Sequence, residues 1–392
     1  MKINFTLNDT SMSGGIRAIF EIANGLYKRG HEVTITSIKG DHSWFPLEAE
    51  VIYVKQPKLP KILNHLFKLK NGTDLTYSQL ELALQKYEIE PDLMKPLTES
   101  IPDCDINVAT WFLTAFAVYR SGKGIPFFFF QDFLEMIQPL GQYYVKMFEE
   151  SLYLPINIIT GSNWLKNWIN ENYMKKAVVS GYGIDHSVFY PRSSILDNLE
   201  GTKIMGIFSR GSKYKGGTDL INALNIASKK IHDLNLILVC NNITFQNLIR
   251  DNDIKFKYTF FESPDDNKLA ELYSSSDLFV FTSHIEGYGL PPLESMACGT
   301  PVVTTDCLGV RDFVIDENNA LLVPPKNPEA IADAILKALK NSDLSNKLKT
   351  NGIKTAQKST WDTTVDIFEN AFLDSLNNQI EVGGKCIQKS LS

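Results

Sequence analysis

A two-domain α/β protein built on doubly wound parallel sheets is the fold class this sequence predicts, on three observations. The chain opens as strand, loop, helix, strand: Lys2 to Leu7, a polar loop Asn8 to Gly15, an apolar stripe at Ile16, Ile19, Phe20, Ala23 and Leu26, then His31 to Ile38. Further on, the unalternating apolar run Leu278 to Phe281 suits a strand buried on both faces, and a glycine loop and a short helix follow it. Between these, a polar linker ends near Gly201 and the strand–loop–helix plan restarts at Lys203. A length of 392 residues accommodates two domains of ordinary size.

The bulk properties narrow the function classes. Charged residues make up 21% of the chain and the net charge is −6, which argues against a broad nucleic-acid-binding surface. The five cysteines (Cys104, Cys240, Cys298, Cys307 and Cys386) are scattered and form no Cys-x-x-Cys pair. That pattern fits neither a disulfide framework nor a zinc site and points to a reducing cytoplasm. Met1 to Asp9 turns polar too soon for a signal peptide. No apolar run approaches the ~20 residues a spanning helix needs.

In chain order, Gly14 and Gly15 stand before a helix, where they fit a phosphate-facing turn or a plain turn. Lys55 to Lys70 is locally basic and amphipathic, with Lys58, Lys61, Lys68 and Lys70. It is a candidate for peripheral contact with anionic lipid or a charged acceptor, against a solvated surface helix. Asp103-Cys104-Asp105 has an Asp-x-Asp spacing but precedes the strand Ile106 to Ala109, and ligands in open α/β sheets sit at the other end of strands. It reads as a turn. Pro126 to Phe130 is a buried strand with Gln131-Asp132 at its carboxyl end, where Asp132 either caps the next helix or is a titratable site residue. Ile156 to Thr160 is a strand, Ser162 caps a helix bearing Trp164 and Trp168, and Lys176 to Ser180 is the last strand of the first half. In the second half, Lys203 to Ser209, Leu234 to Cys240, Tyr258 to Glu262 and Leu321 to Val323 are strands. Thr218 to Ile231, a segment ending at Tyr273, and Pro328 to Leu339 are helices.

The stretch Ser283 to Thr305 concentrates the chemistry. Gly287 and Gly289 let the backbone approach a ligand. Pro291 or Pro292 suits a first helical turn, Gly299 a left-handed C-terminal cap, and Pro301 the stop beyond it. A helix N-terminus at the end of a buried strand presents free N–H groups and positive partial charge to a phosphate. Glu286 and Glu294 flank it, and carboxylates there make sense if they hold hydroxyls on either side. Upstream, Arg210 and Lys215 lie in a loop after a strand, where two cations neutralise a diphosphate without a metal, Lys213 being the alternative.

Glu286 and Glu294, with seven residues between them, resemble the E-x7-E element of retaining GT-B glycosyltransferases of glycosyltransferase family 4. The surrounding Glu-Gly-Tyr-Gly-Leu-Pro-Pro-Leu-Glu-Ser-Met-Ala-Cys-Gly-Thr-Pro-Val-Val is similar to that family almost throughout. So are the Arg210…Lys215-Gly216 loop, the opening Ser13-Gly14-Gly15, and Gly183-Ile184-Asp185 with Phe189-Tyr190-Pro191. The resemblance is strongest from Ser209 to Pro325 and weakest between 40 and 125.

It implies two Rossmann-like domains facing across a cleft. Residues 1–185 form an acceptor-side domain, 186–200 a linker and 201–358 a donor-binding domain. Residues 359–376 form a helix crossing back, and 377–392 a polar tail. It implies transfer of a sugar from a nucleoside-diphosphate sugar to a glycan or lipid-linked glycan, with no metal and no other cofactor. Glu294 would hold the ribose, and Arg210 and Lys215 the diphosphate. Glu286 and the amides of Gly287, Tyr288, Gly289 and Leu290 would hold the sugar. Gly14 and Gly15 would face the donor, and the turn at Ser263 would meet the base through its backbone. Gln131 stands where the family usually has histidine, so hydrogen bonding is kept and a base is lost; Asp132 remains as a titratable candidate. The Gln131-Asp132 wording resembles rhamnose-transferring members, which points to a dTDP-sugar and bacterial or archaeal surface glycans. A sugar-nucleotide epimerase and a non-catalytic nucleotide-sugar-binding partner are the alternatives.

Overall fold

The computed structural model describes residues 1–54, 94–208 and 213–390. The basic segment 55–70 and Arg210 lie outside the described residues.

Two parallel sheets organise the chain. The first has seven strands in the order β3-β2-β1-β4-β5-β6-β7. Its strands are β1 (Lys2–Leu7), β2 (Glu32–Ser37), β3 (Glu50–Tyr53), β4 (Ile106–Ala109), β5 (Ile125–Phe130), β6 (Asn157–Thr160) and β7 (Ala177–Val179). The second has six strands in the order β10-β9-β8-β11-β12-β13. These are β8 (Thr202–Phe208), β9 (Leu234–Cys240), β10 (Lys257–Glu262), β11 (Leu278–Phe281), β12 (Val302–Thr305) and β13 (Leu321–Val323). β1 pairs in parallel with β2 and β4, and β8 with β9 and β11.

In each sheet the chain winds outward one way and then jumps back past the first strand. This reversal is the Rossmann topology, and ligands bind outside the carboxyl ends of the two strands that flank it. In the second sheet those strands are β8 and β11. The strands that read as unalternating apolar runs are buried throughout: every residue of β4, β9 and β11 is buried. Helices seal the second sheet through Leu220, Leu224, Ile331 and Ile335, which pack on Leu236, Leu238, Val280 and Val303.

The described helices are α1 (Gly14–Lys28), α2 (Lys95–Ser100), α3 (Phe112–Ser121), α4 (Leu134–Ile137), α5 (Gln142–Ser151), α6 (Asn163–Tyr173), α7 (Gly217–Ala227), α8 (Asn242–Asp251), α9 (Asp266–Ser274), α10 (Leu290–Ala297), α11 (Pro328–Lys340), α12 (Ser342–Ala356) and α13 (Trp361–Ser390). The expected polar tail from 377 is replaced, as far as Ser390, by the continuation of α13. Residues 374–390 hold no proline, and their two adjacent glycines are not enough to stop a helix already nucleated.

The chain divides into two compact units. One comprises Met1–Phe130, Leu140–Ile158 and Phe372–Ser392, and the other Gln131–Pro139 and Ile159–Ala371. The expected linker, 186–200, lies between β7, which ends at Val179, and β8, which begins at Thr202. The compact units are cut differently, because Gln131–Pro139 and everything from Ile159 to Ala371 group with the second sheet. Within the first unit, Phe372 of α13 packs edge-on against Phe127 of β5, with ring centroids 4.8 Å apart.

Candidate donor-binding site

The second unit carries most of the expected site residues. β11 delivers the chain into the loop 282–289, and α10 follows. Gly289 is its N-cap with φ +100°, a conformation that costs other residues and not glycine. Leu290 opens the helix and the two prolines sit in its first turn, where a missing N–H is harmless. The helix closes as the sequence predicts: Gly299 has φ +77° and its N–H donates to the Met296 carbonyl at 3.0 Å.

Lys215 and Glu286 meet. Lys215 Nζ lies 2.7 Å from Glu286 Oε1, with side chains 19% and 13% exposed. Lys215 ends a short 3-10 turn, Lys213–Lys215, just before α7. Burial opposes its charge, but Glu286 and Tyr214 outweigh burial and raise the ammonium pKa above its ordinary 10.5. A raised pKa on a cation adds stability that is complete below the unfolded value and is lost as pH rises through the folded one. The stability difference between wild type and Lys215→Met should therefore stay level up to about pH 10.5 and shrink above it, as read by urea unfolding across pH.

The loop after β11 is held from several sides. The Glu286 N–H donates to the Cys307 carbonyl at 2.9 Å. Trp164 Nε1, on α6, donates to the carbonyls of Glu286 and Gly287 at 2.9 and 3.1 Å. Gln131 stands beside it: a Cβ on Gly287 would lie 3.2 Å from the Gln131 carbonyl oxygen.

Glu294 sits one turn into α10 and is 8% exposed. The hydroxyl of the buried Tyr273 donates to its Oε2 at 3.2 Å. Burial, then the Glu294 charge, push the Tyr273 hydroxyl well above its ordinary pKa, so it remains a donor. Tyr273→Phe removes a hydrogen bond to a buried carboxylate and should cost about 1.5–3 kcal/mol, read from the urea midpoint.

The other expected residues fall as follows. Gln131 Oε1 accepts a hydrogen bond from Tyr182 at 3.0 Å. Asp132 is 2% exposed. It does not cap the next helix: Phe133 is the N-cap of α4, with no side-chain cap bond. Ser162 is the N-cap of α6, yet its hydroxyl makes no cap hydrogen bond. The Tyr288 ring turns into the core, 4.8 Å from Tyr182 and 5.3 Å from Phe313, so only its backbone is available to a ligand. Ser263 is exposed and holds φ +38°. Gly14 and Gly15 begin α1 in the first unit, with Ser13 Oγ accepting the Ile16 N–H. Asp105 and Asp103 are engaged by chain partners: Asp105 Oδ2 accepts the Lys2 N–H at 2.7 Å and Asp103 pairs with Lys123 at 3.3 Å.

Sequence reasoning missed Trp164 as a loop support, Tyr273 as the partner of Glu294, and the pair His284–Asp219. His284 lay inside the stretch already singled out; Trp164 gave no signal, because its bonds reach residues more than a hundred positions away.

Comparison with known proteins agrees with the fold. Residues 193–355 match the family described as glycosyl transferases group 1. An uncharacterised glycosyltransferase of Methanocaldococcus jannaschii is 27% identical over 212 residues, covering 53% of this chain and 56% of the relative. The capsular polysaccharide biosynthesis glycosyltransferase CapM of Staphylococcus aureus is 25% identical over 243 residues, 57% of this chain and 63% of the relative. The chain thus spans only a little over half the length of these curated relatives. The structure of Anabaena HepE in complex with UDP-glucose superposes with a TM-score of 0.70 at 17% identity, covering 96% of this chain and 100% of the other, which shows a shared fold. Among the described residues no helix is long and apolar enough to cross a membrane. Residues 193–355, which contain Lys215, Glu286 and Glu294, are thus similar to the glycosyl transferases group 1, and the two parallel-sheet units have the GT-B fold of the structural neighbours.

Proposed function

We propose that the protein transfers a hexose or deoxyhexose from a nucleoside-diphosphate sugar to an acceptor hydroxyl with retained anomeric configuration, in the manner of glycosyltransferase family 4. The observation that carries this is the Lys215–Glu286 pair, 2.7 Å apart, beside a glycine loop that opens a helix at the switch point of the second sheet. A cation, a carboxylate and free N–H groups are together what a sugar diphosphate needs.

In this proposal Lys215, with Arg210, binds the diphosphate and carries the charge that builds up as it leaves. This supplies the neutralisation otherwise asked of a metal. Glu286 and the amides of Gly287, Tyr288, Gly289 and Leu290 hold the sugar, and Glu294 the ribose. The turn at Ser263 meets the base. The acceptor oxygen bonds to the anomeric carbon on the face from which the phosphate oxygen departs. The acceptor's proton passes to that phosphate oxygen. No protein base is consumed, which suits Gln131 as a hydrogen-bonding group next to the loop; Asp132 is the remaining titratable candidate.

The likeness to CapM supports an acceptor in surface-polysaccharide assembly, as a glycan or lipid-linked glycan at the cytoplasmic face of a membrane. The HepE complex makes UDP the first donor base to test, and the rhamnose-like wording at Gln131-Asp132 adds dTDP.

Thermal unfolding with UDP, GDP, ADP and dTDP, with and without EDTA, tests this. A ligand at about 100 times its dissociation constant stabilises by ~2.7 kcal/mol. One nucleotide should shift the wild type, persist in EDTA and lose its effect in Glu294→Ala. Near-complete transfer activity in Glu286→Ala/Glu294→Ala would sink the assignment. Binding without donor consumption on any acceptor would favour a non-catalytic nucleotide-sugar-binding partner instead.

A further inference from the structure

Among the described residues, several hydrogen bonds stitch the segment after β11 to the segment after β8. Thr282 Oγ1 donates to the Gly216 carbonyl at 2.8 Å, and the His284 N–H donates to the Tyr214 carbonyl at 2.6 Å. Lys215 Nζ meets Glu286 Oε1 at 2.7 Å, and His284 Nε2 meets Asp219 Oδ2 at 2.6 Å. The two backbone-directed bonds hold the chains together but leave side chains free to rotate. The last bond is different: it joins a ring two residues before Glu286 to a carboxylate four residues after Lys215. Both of its side chains are mostly buried, 19% and 18% exposed. Asp219 occupies the first turn of α7, where a carboxylate already suits the helix N-terminus. That accounts for an acid at 219 but not for a histidine aimed at it from the neighbouring loop.

We propose that the His284–Asp219 pair is a positioning device: it fixes the first turn of α7 against the Glu286 loop and so sets where the Lys215 ammonium stands. His284 and Asp219 touch neither diphosphate nor sugar; they act through Lys215. The consequence for donor binding rests on the role proposed above for Lys215, whereas the consequence for Lys215 itself does not.

The test reads both. Native-state acylation with acetic anhydride is quantified at Lys215 by mass spectrometry, with Lys146, whose side chain is 73% exposed, as the internal standard. In His284→Ala, Lys215 should react about tenfold faster, the factor that corresponds to one lost hydrogen bond to a charged group. His284→Gln should restore slow reaction, since its amide nitrogen can reach Asp219, and Asp219→Asn should behave as an intermediate. In parallel, KM for UDP-glucose should rise in His284→Ala by a larger factor than kcat falls, and His284→Gln should recover it. Unchanged Lys215 acylation in His284→Ala overturns the proposal, even if the melting temperature falls, because that result describes a merely structural pair. If His284→Ala does not fold, the comparison of Asp219→Asn with His284→Gln decides in the same way. If Lys215 acylation responds as stated and wild type neither binds nor consumes any UDP-, GDP-, ADP- or dTDP-sugar, the positioning stands and the donor reading falls.

Discussion

Lys215→Met should lower kcat/KM for the sugar-nucleotide donor by about two to three orders of magnitude, the effect of removing one preorganised group that meets charge developing in the transition state. The same change should destabilise the protein, because Glu286 is left 13% exposed with its cation gone. Breaking a fully buried pair costs about 3–5 kcal/mol, and the residual exposure here lowers the expectation to about 2 kcal/mol. The two effects separate in a double variant. Lys215→Met/Glu286→Gln replaces a charged pair by a neutral one and should regain most of the stability, as read by urea unfolding, while activity stays low. If stability and activity recover together, the pair is a structural salt bridge and the diphosphate role fails.

Gly216→Ala should damage the site as much from the backbone side. Gly216 has φ +68°, and an added Cβ would overlap the carbonyl oxygen of Thr282. No side-chain rotation relieves that contact, since the backbone fixes the Cβ and its partner is a main-chain carbonyl, so either the loop before α7 or the segment after β11 must move. The left-handed conformation alone costs about 1 kcal/mol for a residue with a Cβ, and the overlap adds a larger amount. A loss of more than about 3 kcal/mol is expected, together with loss of nucleotide binding in any folded fraction. Wild-type-like nucleotide affinity in Gly216→Ala would show that the spacing between Lys215 and the Glu286 loop does not matter.

Much of this architecture is legible in the sequence because the signals are local. Leu278 to Phe281 announces a two-sided buried strand, and Gly299 with Pro301 announces where α10 ends. β3, lying in the part of the chain that resembles the family least, is a short strand with no alternation to mark it. α8 and α12 went unread because each buries few residues, Thr244 in one and Leu348, Gly352 and Ala356 in the other, so neither has a broad apolar stripe. The end of α13 is not marked in the sequence because polarity alone does not stop a helix once begun. At the site, the residue types were readable and their directions were not. Tyr288 belongs to the right loop, but its ring faces Tyr182 and Phe313. Glu294 is the carboxylate expected to hold a ribose, and it accepts the Tyr273 hydroxyl. Such pairings join positions far apart in the chain, and no periodicity records them.

The ion pair between Lys215 and Glu286 also bears on what the site refuses. Lys215 already has a carboxylate at 2.7 Å, so an anion must compete with Glu286 for the ammonium. Inorganic phosphate or chloride offers that displaced carboxylate nothing in return. A sugar diphosphate offers both halves of the exchange, oxygens for Lys215 and hydroxyls for Glu286. With Lys215 and Glu286 in the roles proposed for them, selection against the small anions that crowd any cell follows from the exchange itself, without a gate to exclude them.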